Sequence, residues 1–538
     1  MLAAALLAQS PVRAIDIDNA AARRFHRVDE LKKEYGLTGA GQLVGVYEAD
    51  GGIVGSHVAF GTRVRQRDGK PSPYSAHATH VAGTIGADPA AKPGAGGMAE
   101  RVQIHAYDIR SNHFAKIAAA DAAMVASNHS YGPRSAWIGH KWNSPACAKT
   151  GGSPPANSER PCWTWEGEDP LVFEEARFGR YLDSSRFFDE RAVARPHHVL
   201  VVSAGNHRAG PSGPHWDGWY VVGGKWSSVA RRIDSSLDAF DTLNGGQASA
   251  KNVITVGAVD DADEEVNPRN VRVSAFSSFG PTDDGRIKPD VVANGQQLLS
   301  PTYGRHKDGS LDTAAYKRLD GTSMATPVVT GIVALLQELS LKKRKERLTS
   351  YEVKAVLIHT AVNPTAGPNF RTGWGAVDAL AAGRVVAMEP GNEEELPAGV
   401  LLSGTASPGP ITRTFRSSGG PIKVTLVWLD RPAAAVSGLD NPQPVLVDDL
   451  DLILTGPDGR RYFPWQLDPG WPYDEAVHCI EVPGSGETCE RNRRDNVEQV
   501  QIDGPTGAPG NWTVSVETGN GTVQAPYALI VEGFAPAP

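Results

Sequence analysis

The chain carries Gly321-Thr322-Ser323-Met324-Ala325-Thr326-Pro327, followed by the apolar run 328–336, Val-Val-Thr-Gly-Ile-Val-Ala-Leu-Leu. A glycine and hydroxyl residues ahead of such a run predict a loop turning into a buried helix. Ser323 then sits in the positive field of the helix N-terminus, beside unpaired backbone N–H groups. Those features suit a nucleophile whose attack creates an oxyanion. Without that chemistry the segment is a Ser/Thr N-cap.

A serine nucleophile needs a base, an orienting carboxylate and further oxyanion donors. The base candidate lies in Ser75-Ala76-His77-Ala78-Thr79-His80-Val81-Ala82-Gly83-Thr84, where small residues after His80 allow close helix packing. The run at 199–206 is rich in Val and ends Ala204-Gly205-Asn206, which reads as a buried parallel strand delivering an amide at its C-terminal end.

These stretches resemble the motifs of the subtilisin-like serine proteases, the subtilases. The resemblance implies that Ser323 is the nucleophile, His77 the general base and His80 a packing residue. Asn206 and the Ser323 N–H would be the oxyanion donors. Ala78 departs from the usual glycine. The family's carboxylate falls in Leu43-Val44-Gly45-Val46-Tyr47-Glu48-Ala49-Asp50-Gly51-Gly52. Read from the strand the acid is Glu48, and read from the loop it is Asp50. The two share one face of an extended strand, so alternation does not separate them. Burying an unpaired carboxylate at the inward position is costly, which favours Glu48 as the acid and leaves Asp50 as its rival.

Further segments extend the similarity over about residues 30–385: 274–281, 287–293 and the terminal segment 372–379. Ser127-Asn128-His129-Ser130-Tyr131-Gly132 is similar to the strand that lines the first specificity pocket and pairs with extended substrate. With Ala204 and Gly205, residues Ser130, Tyr131 and Gly132 are therefore the expected peptide-binding residues. Strands alternating with helices from Ile15 to Met388 predict a doubly wound, mostly parallel α/β sheet, with residues 99–109 and 253–259 as two of its strands. Ligands bind at the C-terminal strand ends of such sheets.

Beyond residue 392 the grammar changes to short alternating strands separated by Gly, Pro and Asp turns, which predicts an antiparallel sandwich. This half resembles the jelly-roll domain behind the protease domain of some bacterial alkaline subtilases. The expected organisation is a tail or signal-peptide remnant at 1–20, a catalytic domain at 21–392 and an all-β jelly-roll domain at 400–538. Two Trp-containing insertions fall at about 133–196 and 207–250. Asp448, Asp449 and Asp451 crowd one strand edge, which suggests a structural Ca2+ site with hard oxygen ligands, or else a turn with solvated acids.

The net charge of −8 argues against nucleic-acid binding. No apolar run reaches 18 residues, so the body is not expected to span a membrane. Four cysteines fall into local pairs, Cys147 with Cys162 and Cys479 with Cys489, as in secreted chains. The resulting expectation is a secreted, monomeric serine endopeptidase acting on extended protein or peptide substrates. Two other classes remain: an inactive binding protein of the same fold, and a surface or carbohydrate-binding role led by the C-terminal domain.

Overall fold

A computed structural model of the chain describes residues 18–69, 73–133, 137–140, 162–165, 175–208, 219–222, 225–227, 240–260, 265–388, 399–486, 488–503, 508–519 and 524–536. Its centre is a seven-stranded sheet of β1 (Leu43–Glu48), β2 (Val64–Gln66), β3 (Gln103–Asp108), β4 (Ala126–His129), β5 (Val199–Ser203), β6 (Ile254–Val259) and β7 (Val291–Asn294). The order is β7-β6-β5-β4-β1-β3-β2, and every pairing is parallel. This is the doubly wound α/β architecture. Every residue of β4, β5 and β6 is buried, as expected of strands covered on both faces. β3 is shorter than the predicted 99–109, because the Met98 and Ala99 N–H groups bond instead to the Thr84 and Ile85 carbonyls of the preceding helix.

Three helices position the site: α1 (Ala76–Gly86), α2 (Thr322–Lys343) and α3 (Ser350–Thr360). α1 is capped by Ser75, whose Oγ accepts from the Ala78 N–H at 3.0 Å. The Ala78 methyl is itself buried in the core. α2 runs through that core and is buried from Met324 to Ser340. Among the described residues it is the one helix long and apolar enough to cross a membrane, and it lies inside the protein. It begins at Thr322, six residues before the predicted apolar run, and encloses Pro327.

Strands from both insertions, Trp137–His140, Cys162–Trp165, Trp219–Val222 and Lys225–Ser227, pair into one separate four-stranded sheet.

The C-terminal region from Val400 onward is a β-sandwich. One sheet holds Val400–Ala406, Ala525–Glu532, Ile422–Trp428 and Val497–Ile502. The other holds Val477–Glu481, Arg461–Gln466, Leu450–Thr455, Gly510–Thr518, Ile411–Ser417 and Ala535–Pro536. All pairings are antiparallel, and Leu426, Trp428, Leu452, Trp512 and Leu529 fill the space between the sheets. Each such side chain contributes about 1.5–3 kcal/mol on burial.

The sandwich is fused to the α/β domain. α3 packs on its four-stranded sheet, and His359 Nδ1 meets Thr425 Oγ1 at 2.8 Å. Lys251, fully buried, donates to Asp430 and to the carbonyls of Arg431 and Val445 at 2.7 and 2.8 Å. Cys479 and Cys489 form a disulfide with Cα atoms 5.7 Å apart. Cys147 and the N-terminal segment 1–17 lie outside the described residues.

Candidate active site

Glu48 is the last residue of β1, at the C-terminal edge of the sheet. His77 is the second residue of α1. The His77 Nδ1 lies 2.8 Å from Glu48 Oε2, with the carboxylate 2% exposed and the imidazole 28% exposed. Asp50 is exposed in the loop beyond the strand. It offers an oxygen within 4.8 Å of ligand atoms of both Glu48 and His77, but makes no hydrogen bond to His77 among the described residues. Burial separates the two acids where alternation did not. Burial disfavours a charged His77 ring, yet attraction to Glu48, their hydrogen bond and the Asp50 charge outweigh it and raise the ring to about 9. Burial likewise pushes the Glu48 carboxyl up.

Ser323 occupies the second position of α2, where N–H groups have no partner within the helix. Pro327 has no N–H to return to the Ser323 carbonyl four residues earlier. Ser130 replaces it: its Oγ donates to the Ser323 carbonyl at 2.9 Å. The Ser323 hydroxyl in turn donates to the Ser130 carbonyl at 3.3 Å. In this rotamer it is turned toward Ser130 rather than bonded to His77.

Asn206 follows β5 and is exposed. The Thr322 N–H donates to Asn206 Oδ1 at 2.8 Å, and the Thr322 hydroxyl lies 3.0 Å from the same oxygen. Fixing Oδ1 against a backbone donor leaves the Nδ2 donors for the cleft. Nδ2 also lies 3.4 Å from where a Cβ on Gly321 would stand. A hydroxyl and an anchored amide thus meet where α2 begins beside the end of β5, and a carboxylate-held imidazole stands at the N-terminus of α1, which packs against α2.

Of the expected peptide-binding residues, Ser130, Tyr131 and Gly132 continue from β4, and Ala204 and Gly205 from β5. β4 and β5 are paired neighbours, so the two segments run side by side. The Tyr131 carbonyl accepts from Gln247 Nε2 at 2.6 Å, and the Ala204 carbonyl from the Asn244 N–H at 2.8 Å.

The acidic cluster of the sandwich is not gathered as a calcium site would require. The Asp448 carboxylate is bonded by Arg431 Nε and Nη2 at 2.8 and 2.7 Å, and Asp451 pairs with Arg491 at 3.0 Å. Arginine nitrogens stand where a cation would bind, so this donor set does not fit Ca2+. Among the described residues outside the cleft, only Asp241, Asp283 and Asp440 bring ligand oxygens within 4.8 Å of one another. Burial and the neighbouring charges of Asp440 and Asp284 push Asp283 up to about 8.

Sequence reasoning missed Thr322 as the anchor of Asn206, the hydroxyl role of Ser130, and Asn244 and Gln247 behind the binding strands. Thr322 stood beside the nucleophile within the quoted motif. The others show no local signal.

A serine at a helix N-terminus and a carboxylate-held imidazole, set on a parallel α/β sheet, are the parts that serine hydrolases use. The chain belongs to the subtilase family, whose model matches residues 39–375. It is 29% identical over 250 residues to the serine protease/ABC transporter B family protein tagD of Dictyostelium discoideum, covering 36% of this chain and 13% of that protein. It is 38% identical over 149 residues to the subtilisin-like protease SBT6.1 of Arabidopsis thaliana, covering 26% of this chain and 12% of that one. The chain thus spans a small part of these curated relatives. The crystal structure of MycP1 with its propeptide removed is 20% identical, with a TM-score of 0.41, covering 69% of this chain and 99% of that one.

Proposed function

We propose that this chain is a secreted serine endopeptidase. Ser323 attacks the peptide carbonyl while His77 takes its proton and later delivers it to the leaving amine. Glu48 holds the imidazole in the required tautomer and stabilises its cation. The Ser323 N–H and Asn206 Nδ2 donate to the tetrahedral oxyanion. Rotation of the Ser323 hydroxyl away from Ser130 toward His77 brings nucleophile and base together. An extended substrate would lie along Ser130–Gly132, bonding through its main chain.

The observation that carries this reading is the 2.8 Å contact between His77 and the buried Glu48, at the edge of the sheet where Asn206 is anchored beside Ser323. Family membership supports the chemistry, and the Cys479–Cys489 disulfide supports an extracellular location. The test is hydrolysis of a general protein substrate together with labelling by a serine-directed phosphonate. Both should be present in the parent and absent in Ser323→Ala. Absence of both in the parent would favour the inactive binding protein.

A further inference from the structure

β1, which ends in Glu48, lies between β4 and β3 in the sheet. The segment after β4 carries Tyr131, and the loop after β3 leads into the short helix His113–Ala118. The two segments therefore flank the end of β1, and a hydrogen bond joins them. His113 Nε2 lies 2.9 Å from the Tyr131 hydroxyl. The two rings also meet edge to face, with centroids 5.2 Å apart.

The same hydroxyl lies 2.7 Å from Nδ1 of His129, which is fully buried and stacked on Tyr47. His129 Nε2 lies 2.8 Å from Ser127 Oγ, and that oxygen lies 3.0 Å from Nε2 of His198, just ahead of β5. A hydroxyl gives one proton and accepts through its lone pairs, so Tyr131 and Ser127 each donate to one ring and accept from the other. Burial holds all three imidazoles below their ordinary value, so near neutrality each has one donor and one acceptor nitrogen. Five side chains thus form one directional chain, in which each link strengthens the next. The Tyr131 carbonyl is held by Gln247, and Ser130 is held by Ser323. The phenol is the third fixed point of the peptide-binding segment.

We infer that His113 is a positioning residue: by tying the Tyr131 hydroxyl across the end of β1, it sets the peptide-binding segment before substrate arrives. It acts through Tyr131, not on the substrate itself. A segment ordered in advance loses little conformational freedom when an extended peptide pairs with it, so binding is tighter. The inference rests on the proposed endopeptidase activity and adds what holds its peptide-binding segment in place.

The test uses the full chain with two substrates, an extended fluorogenic peptide and a small activated ester that reaches only the nucleophile. His113→Gln puts an amide near the place of Nε2, whereas the shorter side chain of His113→Asn falls short of the Tyr131 hydroxyl. His113→Asn should raise the peptide KM about three- to tenfold with kcat little changed, the scale of one hydrogen bond. His113→Gln should restore most of the parental KM, and both variants should hydrolyse the ester at the parental rate. Tyr131→Phe removes only the hydroxyl and serves where His113→Asn impairs folding; it should raise the peptide KM alike. Adding His113→Asn to it should bring no further rise. An unchanged peptide KM, a loss that falls equally on the ester, or effects that add in the double variant would overturn the assignment. If the parent is labelled at Ser323 and cuts the peptide, such a result counts against His113 alone. If the parent neither cuts nor is labelled, the endopeptidase reading fails and this inference with it.

Discussion

Ser130 Oγ donates to the carbonyl oxygen of Ser323 at 2.9 Å, filling the place of the N–H that Pro327 does not have. The bond links the expected peptide-binding segment to the first turn of the nucleophile's helix. Ser130→Ala leaves that half-buried carbonyl without its partner and should cost about 0.5–1.5 kcal/mol of stability. Pro327→Ala supplies a competing N–H in the helix, so the loss from Ser130→Ala should shrink in that background. Denaturant melts of the four proteins give the coupling. Strict additivity would mean that Ser130 does not stand in for the missing donor.

The second prediction concerns His77 and Glu48. His77 is raised to about 9, and a general base works only when neutral. The parental kcat/KM should therefore climb through the neutral range and reach half its maximum near pH 9. Glu48→Gln removes the charge that raises the ring and leaves the burial that lowers it. The residual activity should lose that alkaline limb, and the rate should fall about 10⁴-fold. Asp50→Asn should cost a few-fold at most and move the limb slightly down. If instead Asp50→Asn is crippling and Glu48→Gln mild, the orienting role belongs to Asp50.

What the sequence showed and hid follows from how far each feature reaches along the chain. Ser323, His77 and Asn206 each sit in a stretch whose small or apolar neighbours encode their own loop, helix or strand. Glu48 and Asp50 have the same strand parity, and only burial tells them apart. The helix N-terminus at Ser323 was legible, but that Pro327 lies inside the helix was not, because the carbonyl it leaves without an N–H is bonded by Ser130, 193 residues away. The acids of 448–451 suggested a cation because their arginines, Arg431 and Arg491, lie outside the segment. Asn244 is invisible locally, since it packs against Gly132 and Gly205 from two other segments.

Asn206 provides the third test. With Oδ1 held by Thr322, only Nδ2 is available to a developing oxyanion. Asn206→Leu keeps the volume and removes the donor. It should lower kcat about 10²–10³-fold with KM little changed, the magnitude known for losing one oxyanion donor in this family. Thr322→Val keeps the backbone donor but removes the hydroxyl 3.0 Å from Oδ1, and should give a smaller kcat loss in the same direction. A defect confined to KM in either variant would mean the amide binds substrate rather than the transition state.

The last prediction concerns Asp283, where the α/β domain meets the 440 loop of the sandwich. Burial and the charges of Asp440 and Asp284 raise it from 3.8 to about 8, with Arg180 opposing. The folded protein thus holds this proton more tightly than the unfolded chain, and stability falls as pH rises. Below about pH 4 both states are protonated and there is no cost. Between about 4 and 8 the unfolded chain ionises freely while the folded one resists, and above 8 the cost is complete. Asp283→Asn removes the group, so its gain should be small at pH 4.5 and grow to about 2–4 kcal/mol at pH 8.5, allowing for partial solvent screening at this half-buried site. Thermal melts in chelator, so that no divalent ion offsets the three carboxylates, give the comparison directly. A Tm gain equal at both pH values would mean that packing, not the carboxylate's charge, limits stability there.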